Sequence, residues 1–162
     1  MRRHFLFSLL AAFAVIAMPL VPPAYAGEER AIGVPSADAE MNNAIREACA
    51  NLPEFWKAMA KPGPGETSFS LKVRITDKGQ AEHFWLDTIE RKGGKLSGVI
   101  TNTPQLVKNV QRGQRYEFEE AAISDWLYVR NGKWVGNRTM RVLLKRMPKA
   151  EVDRYRAMME KP

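Results

Sequence analysis

"ISDWLYVRNGKWVG", Ile123 to Gly136, decides how the rest of the chain is read. Asn131-Gly132 is the strongest short-range hairpin signal, because both residues accept the positive φ angles of a two-residue turn. Pairing the arms across that turn sets Val129 opposite Trp134, with Leu127 on the same face. It sets Tyr128 opposite Val135, with Trp126 on the other face. Both faces are therefore apolar, whereas a hairpin with one wet side alternates apolar and polar. Something must cover the second face, either the protein's own helices or a partner.

Upstream, "TSFSLKVRIT" (67–76) alternates Phe69, Leu71, Val73 and Ile75 with polar residues, the pattern of a half-buried strand. After the turn "DKGQ", "AEHFWLDTIE" (81–90) puts Phe84 and Leu86 on one face and His83 and Trp85 on the other. After "RKGG", "KLSGVITN" (95–102) is a third strand, in which Gly98 points to a bulge or a close backbone approach. "VKNVQRGQRYEFE" turns at Arg112-Gly113 into a fourth strand, Arg115–Glu119.

Helical periodicity flanks this β region. Ser36 or Asp38 caps a helix whose stripe is Met41, Ile45, Ala48 and Cys49. Pro53 ends that helix or opens a second, short one with Asn51 as its cap, and "KPGPGE" (61–66) is a firm break. Met140, Leu143, Leu144 and Met147 recur at helical spacing after the hairpin, and Pro148 opens a last helix with the stripe Val152, Tyr155 and Met159. Helices, then five to six short strands, then helices indicate an α+β domain. The strands are expected to form a small, strongly bent antiparallel sheet or an SH3-like barrel, packed by the N-terminal and C-terminal helices. "RGQRYEF" is similar to the segment that precedes an inner strand of SH3-like barrels.

The N-terminus reads as an export signal. "MRRH" is positive, "FLFSLLAAFAVIAMPLV" is apolar, and "AYA" (Ala24–Ala26) supplies the small residues that signal peptidase recognises. The expected organisation is a signal peptide at 1–26, a flexible lead at 27–36, and one α+β domain at 37–162 with its last helix near 149–160. The destination is periplasmic or secreted after cleavage following Ala26, with membrane contact only through the signal before cleavage. Without Arg2 and Arg3 the 25 basic side chains fall to 23, against 18 acidic ones. That modest excess is ordinary for an exported protein and is compatible with acidic surfaces.

Taken together, "AEMNNAIREACANLPEF", "FSLKV", "EHFWL", "SGVITNTP", "VKNVQRGQRYEF", "ISDWLYVRNGKWVG" and "TMRVLL" resemble the YegJ-like family of bacterial proteins, a domain of unknown function. The resemblance covers about 39–144. It implies a small, sometimes exported domain and carries no catalytic residue or cofactor.

The catalytic inventory is thin. Cys49 is the one cysteine, so no internal disulfide forms, and its place on the helix stripe makes it a small buried apolar residue. His83 is the one histidine beyond the signal. One cysteine and one histidine do not make a zinc site. A Cys49–His83 dyad would need an exposed thiol. Glu82, Asp87, Glu90 and Asp125 would serve a hydrolase only if two of them converged across a cleft. Asp125 is expected to cap a turn into Trp126 or to pair with Arg138 or Arg141. "NRT" (137–139) has the form of a glycan acceptor by chance.

The aromatic set is the stronger signal. Trp85, Trp126 and Tyr128 are expected on one side of the sheet, mostly covered by helices, leaving a groove with an aromatic edge. His83, Trp85, Trp126, Tyr128, Arg130 and Arg138 are the binding residues, and Lys72, Arg74 and Lys133 are nearby cations. The leading reading is a non-enzymatic exported module, without cofactor or metal, that binds a protein or cell-envelope component. The alternatives are a carboxylate-dependent envelope hydrolase and a basic small-barrel nucleic-acid binder. Export, and the lack of a dense Arg/Lys stripe, weigh against nucleic acid.

Overall fold

The computed structural model describes residues 37–161. The expected signal peptide, the flexible lead and Ser36 lie outside the described residues. The elements are α1 (Ala39–Ala50), α2 (Leu52–Ala60), β1 (Glu66–Asp77), β2 (Gln80–Lys92), β3 (Lys95–Ile100), β4 (Arg115–Phe118), β5 (Ile123–Arg130), β6 (Lys133–Gly136), α3 (Arg138–Leu143) and α4 (Lys149–Met158). The strands form one antiparallel sheet in the order β4-β3-β2-β1-β5-β6. This is the expected α+β architecture. The hairpin register is also as read, with Tyr128 against Val135 and Val129 against Trp134.

Bulges bend the sheet. Thr67 pairs with Val129 and Ser70 with Leu127, so Ser68 and Phe69 together oppose Tyr128, and Ser68 takes φ 55°. Asp87 pairs with Val99 and Glu90 with Ser97, so Thr88 and Ile89 together oppose Gly98. A Cβ on Gly98 would stand 2.7 Å from Ile89 Cδ1 and 3.0 Å from the Asp87 carbonyl oxygen, which is why glycine sits opposite this bulge. Ser124 is the extra residue of a third bulge, between the pairs Lys72–Asp125 and Val73–Ile123.

The link from β4 to β5 requires this curvature. In a flat sheet those strands would lie four spacings apart, about 19 Å. Only Glu119 and a 3₁₀ turn at Glu120–Ala122 join them, a reach of about 13 Å. The sheet curls to bring them together but does not close, since its order runs from β4 at one edge to β6 at the other. The SH3-like barrel is thus not realised, and the bent open sheet is.

The inner face carries Leu71, Val73, Ile75, Phe84, Leu86, Trp126 and Tyr128, packed with Ala48, Leu52 and Phe55 of α1 and α2. Phe55 lies edge-on to Phe69 at 5.8 Å and tilted against Trp126 at 5.9 Å. The Trp126 indole N–H donates to the Ala48 carbonyl at 2.9 Å, satisfying an acceptor in the last turn of α1. Asp38 caps α1 by accepting from the Met41 amide at 2.8 Å. Asn51 stands before α2, but its side chain donates back to the Glu47 carbonyl and closes α1 instead. The buried stripe of α1 is Ala44 and Ala48, shifted from the predicted one. Small residues let α1 approach β5 and α3 closely. Cys49 is exposed rather than buried, with only its Sγ turned inward to donate to the Ile123 carbonyl at 3.3 Å.

The outer face of the hairpin is covered by the chain's own C-terminal helices. Trp134, Met140, Leu144 and Met159 form a second, smaller core with Val129, Leu143, Met147, Val152 and Tyr155 around it. Beyond α4, Met159 bridges Trp134, and the Glu160 amide donates to the Trp134 carbonyl at 2.9 Å. Both faces of the opening hairpin are therefore buried within one chain.

Candidate functional site

Register assigns each predicted residue to a face. Leu71 pairs with Trp126 and with Leu86, so Trp126 and Tyr128 are inner. Lys72 pairs with Trp85 and Asp125, and Arg74 with His83, so these five residues are outer. The expectation that Trp85 shares a side with Trp126 and Tyr128 is corrected: period-two alternation puts Trp85 on the opposite face. The six predicted binding residues accordingly fall in three places.

Trp126 and Tyr128 are core, at 1 % and 0 % exposure. Their rings stack at 6.1 Å, continued by Phe69 on Tyr128 at 5.1 Å. Arg138 and Arg130 complete this ladder. The Arg138 guanidinium lies 5.2 Å over the Trp126 ring and the Arg130 guanidinium 5.3 Å over the Tyr128 ring. Arg130 Nε also donates to Glu66 at 3.0 Å, and Nη1 reaches Glu160 at 3.5 Å. The Gly63 amide, and then Arg130, hold the Glu66 carboxyl below its ordinary range. The charge of Arg130 is thus occupied within the fold.

His83 and Trp85 remain on the outer face of β1 and β2, beside Lys72 and Arg74. The Lys72 ammonium stands 5.3 Å over the Trp85 ring and donates to Thr139 Oγ1 at 3.3 Å. The indole is nearly buried, at 3 % exposure. Its strand is held by Asn102, whose side-chain oxygen accepts from the Trp85 amide at 2.9 Å, and by Thr101, which donates to the Trp85 carbonyl. His83 Nδ1 lies 2.7 Å from Ser124 Oγ, which donates its single proton to the Lys72 carbonyl at 3.2 Å. Both contacts are satisfied together when Nδ1 is the donor, which leaves the lone pair on Nε2. Burial, and then the charges of Lys72 and Arg74, lower the His83 pKa to about 4. At neutral pH this is an uncharged imidazole between two cations. Among the described residues, no hydrogen bond reaches Nε2 and no ion pair engages Arg74.

The alternative catalytic constellations are dispersed. Asp125 is fully buried. It accepts from the amides of Trp126 (2.8 Å), Arg138 (3.2 Å) and Thr139 (2.7 Å) and from Thr139 Oγ1 (2.6 Å), pinning the start of α3. The expected turn cap or arginine pair is thus replaced by a contact across the fold: Asp125 sits within β5 and binds the first amides of α3. Burial raises its pKa against those hydrogen bonds. Glu82 lies on the inner face and accepts from the amides of Gln105, Leu106 and Val107, ordering the long β3–β4 loop. Asp87 bonds Thr88, and Glu90 pairs with Arg115. These four carboxylates engage separate partners and do not converge as a pair. The Cys49–His83 dyad is not formed either, since Cys49 bonds Ile123 and His83 bonds Ser124; burial also raises the thiol pKa. Ser124 is buried at 3 % exposure, and its Oγ also contacts the Lys72 carbonyl. Asn137 of "NRT" is 2 % exposed and makes no surface acceptor.

An open groove of roughly 260 Å³ runs between α1 and α3. Glu40 and Glu47 line one wall and Arg138, Arg141 and Lys145 the other, with Glu40 and Lys145 already paired at 2.8 Å. Sequence reading missed Ser124, Asn102 and Thr139 as neighbours of His83 and Trp85. Ser124 owes its place to a bulge, and Thr139 to the docking of α3. Neither leaves a signal in local periodicity. Among the described residues, no helix is long and apolar enough to cross a membrane.

The model of a family of uncharacterized proteins conserved in bacteria, DUF2314, matches residues 38–159. The chain is 39 % identical over 117 residues to the uncharacterized protein YegJ of Escherichia coli (strain K12), covering 72 % of this chain and 75 % of that one. It is 29 % identical over 126 residues to a putative ankyrin repeat protein, NMB1133/NMB1171, of Neisseria meningitidis serogroup B (strain ATCC BAA-335 / MC58), covering 73 % of this chain and 50 % of that protein. No solved structure matches. The chain belongs to the DUF2314 family.

Proposed function

We propose that this DUF2314 member is an exported, periplasmic, non-enzymatic binding module. It docks a cell-envelope component on the outer face of β1 and β2. The tripartite N-terminal pattern supports export. One observation carries the binding reading: the cross-strand pair Arg74–His83 lies on the outer face, with Arg74 exposed and engaged by no ion pair among the described residues. Two cations and an uncharged imidazole then form one polar surface, with the buried Trp85 indole packed beneath Lys72. Trp126, Tyr128, Arg130 and Arg138 support it from within the fold rather than touching the partner.

The test has two arms. Fractionation and N-terminal sequencing of the expressed chain should find it in the periplasm, starting at Gly27. Capture from envelope extracts should succeed with the natural chain and fail with Arg74→Glu, at unchanged denaturation midpoint. Capture that is indifferent to Arg74→Glu, or a chain retained in the cytoplasm, refutes the proposal. Trp85→Ala adds a control: a loss of stability larger than the loss of capture would assign Trp85 to packing alone.

A further inference from the structure

We infer that the outer-face pairs recognise an acidic saccharide, a sugar ring bearing a carboxylate beside a hydroxyl. This rests on the binding-module reading and narrows it to a ligand class. Arg74 and His83 are a directly opposed cross-strand pair, so their side chains leave the sheet about 5 Å apart. The exposed guanidinium of Arg74 suits two-point recognition of a carboxylate. His83 offers the opposite polarity. Ser124 engages Nδ1, and its own proton goes to the Lys72 carbonyl, so Nε2 presents a lone pair and calls for a donor. A ligand that satisfies both carries an anion and a hydrogen-bond donor close together.

A uronic acid does so, with its carboxylate and a hydroxyl on neighbouring ring carbons, and a 1,4-linked chain keeps that pair on its non-reducing end residue. An aspartate or glutamate side chain carries the anion without the hydroxyl, and a phosphodiester carries no proton at all. Lys72, two residues from Arg74 on the same face and so about 7 Å away, adds positive potential. Its charge is partly engaged by Thr139 and faces Asp125, which leaves Arg74 as the main carboxylate contact.

The test uses protein expressed from the full sequence and purified as the cell leaves it. Trigalacturonate, its neutral galactose counterpart and triglutamate are titrated by calorimetry, with ¹⁵N NMR of the His83 ring. Trigalacturonate is expected to bind at least tenfold more tightly than either control. Arg74→Gln and His83→Phe should each weaken it at least tenfold, and the His83 proton should stay on Nδ1 in the complex. Arg74 is exposed, so Arg74→Gln keeps the test sound even if His83→Phe fails to fold. Equal binding of triglutamate, transfer of the ring proton to Nε2, or no binding of trigalacturonate overturns the inference. If trigalacturonate fails while envelope capture still depends on Arg74, only the ligand class falls. If both fail, the binding module falls with it.

Discussion

Lowering the pH should cost this protein stability through His83 in particular. An unfolded chain protonates histidine near 6.5, whereas the folded site does so at about 4 because of burial and the charges of Lys72 and Arg74. Between those values the unfolded state holds the extra proton, so stability is full above pH 6.5 and falls as pH drops toward 4. Integrating the two titrations from pH 7 to pH 5 gives a loss of about 1.8 kcal/mol from this residue alone. Urea denaturation at pH 7, 6 and 5 measures it, with His83→Gln as reference because glutamine does not titrate. Subtracting the variant removes the carboxylates that also lose interactions in acid, such as Glu66, which the Gly63 amide and Arg130 hold ionised. The wild type should approach or fall below the variant as pH drops. A difference that stays flat within 0.5 kcal/mol would mean His83 titrates normally, and the account of its environment would be wrong.

Gly136→Ala should be among the most damaging single-methyl changes. The new Cβ would lie 2.4 Å from the Trp126 carbonyl oxygen and 2.6 Å from its ring, at a φ of 84°; a loss of about 3 kcal/mol by thermal or urea denaturation is expected. Trp126→Ala should cost about 3–5 kcal/mol, since it empties the inner core and leaves Arg138 without its stacking face. Glu82→Gln should lower stability by about 2 kcal/mol. It should also speed hydrogen exchange at the Leu106 and Val107 amides, which now bond its carboxylate.

Much of this fold was legible because its signals are local. Asn131-Gly132 sets the hairpin register, and alternation in 67–76 and 81–90 assigns faces within each strand correctly. Gly98 marks a bulge because a side chain there would strike Ile89. What was not legible depends on relations between strands. Trp85 and Trp126 belong to different strands, and only the pairing of Leu71 with both Leu86 and Trp126 shows that they face apart. Of the predicted α1 stripe only Ala48 is buried, because Ala44 counts little as a hydrophobe but fits where α1 meets α3 closely. The candidate site was half visible: His83, Trp85, Lys72 and Arg74 share a local pattern, whereas Ser124 reaches them through a bulge 41 residues away.

The short parallel bridge of Met159 to Trp134, with the Glu160 amide on the Trp134 carbonyl, bears on how the chain can be handled. It shields the β6 margin, where unpaired backbone groups would otherwise invite a second molecule to add a strand. Truncation before Met159, or a bulky fusion joined directly there, would strip that shield and favour end-to-end oligomers. Affinity handles on this side should be attached through a flexible spacer.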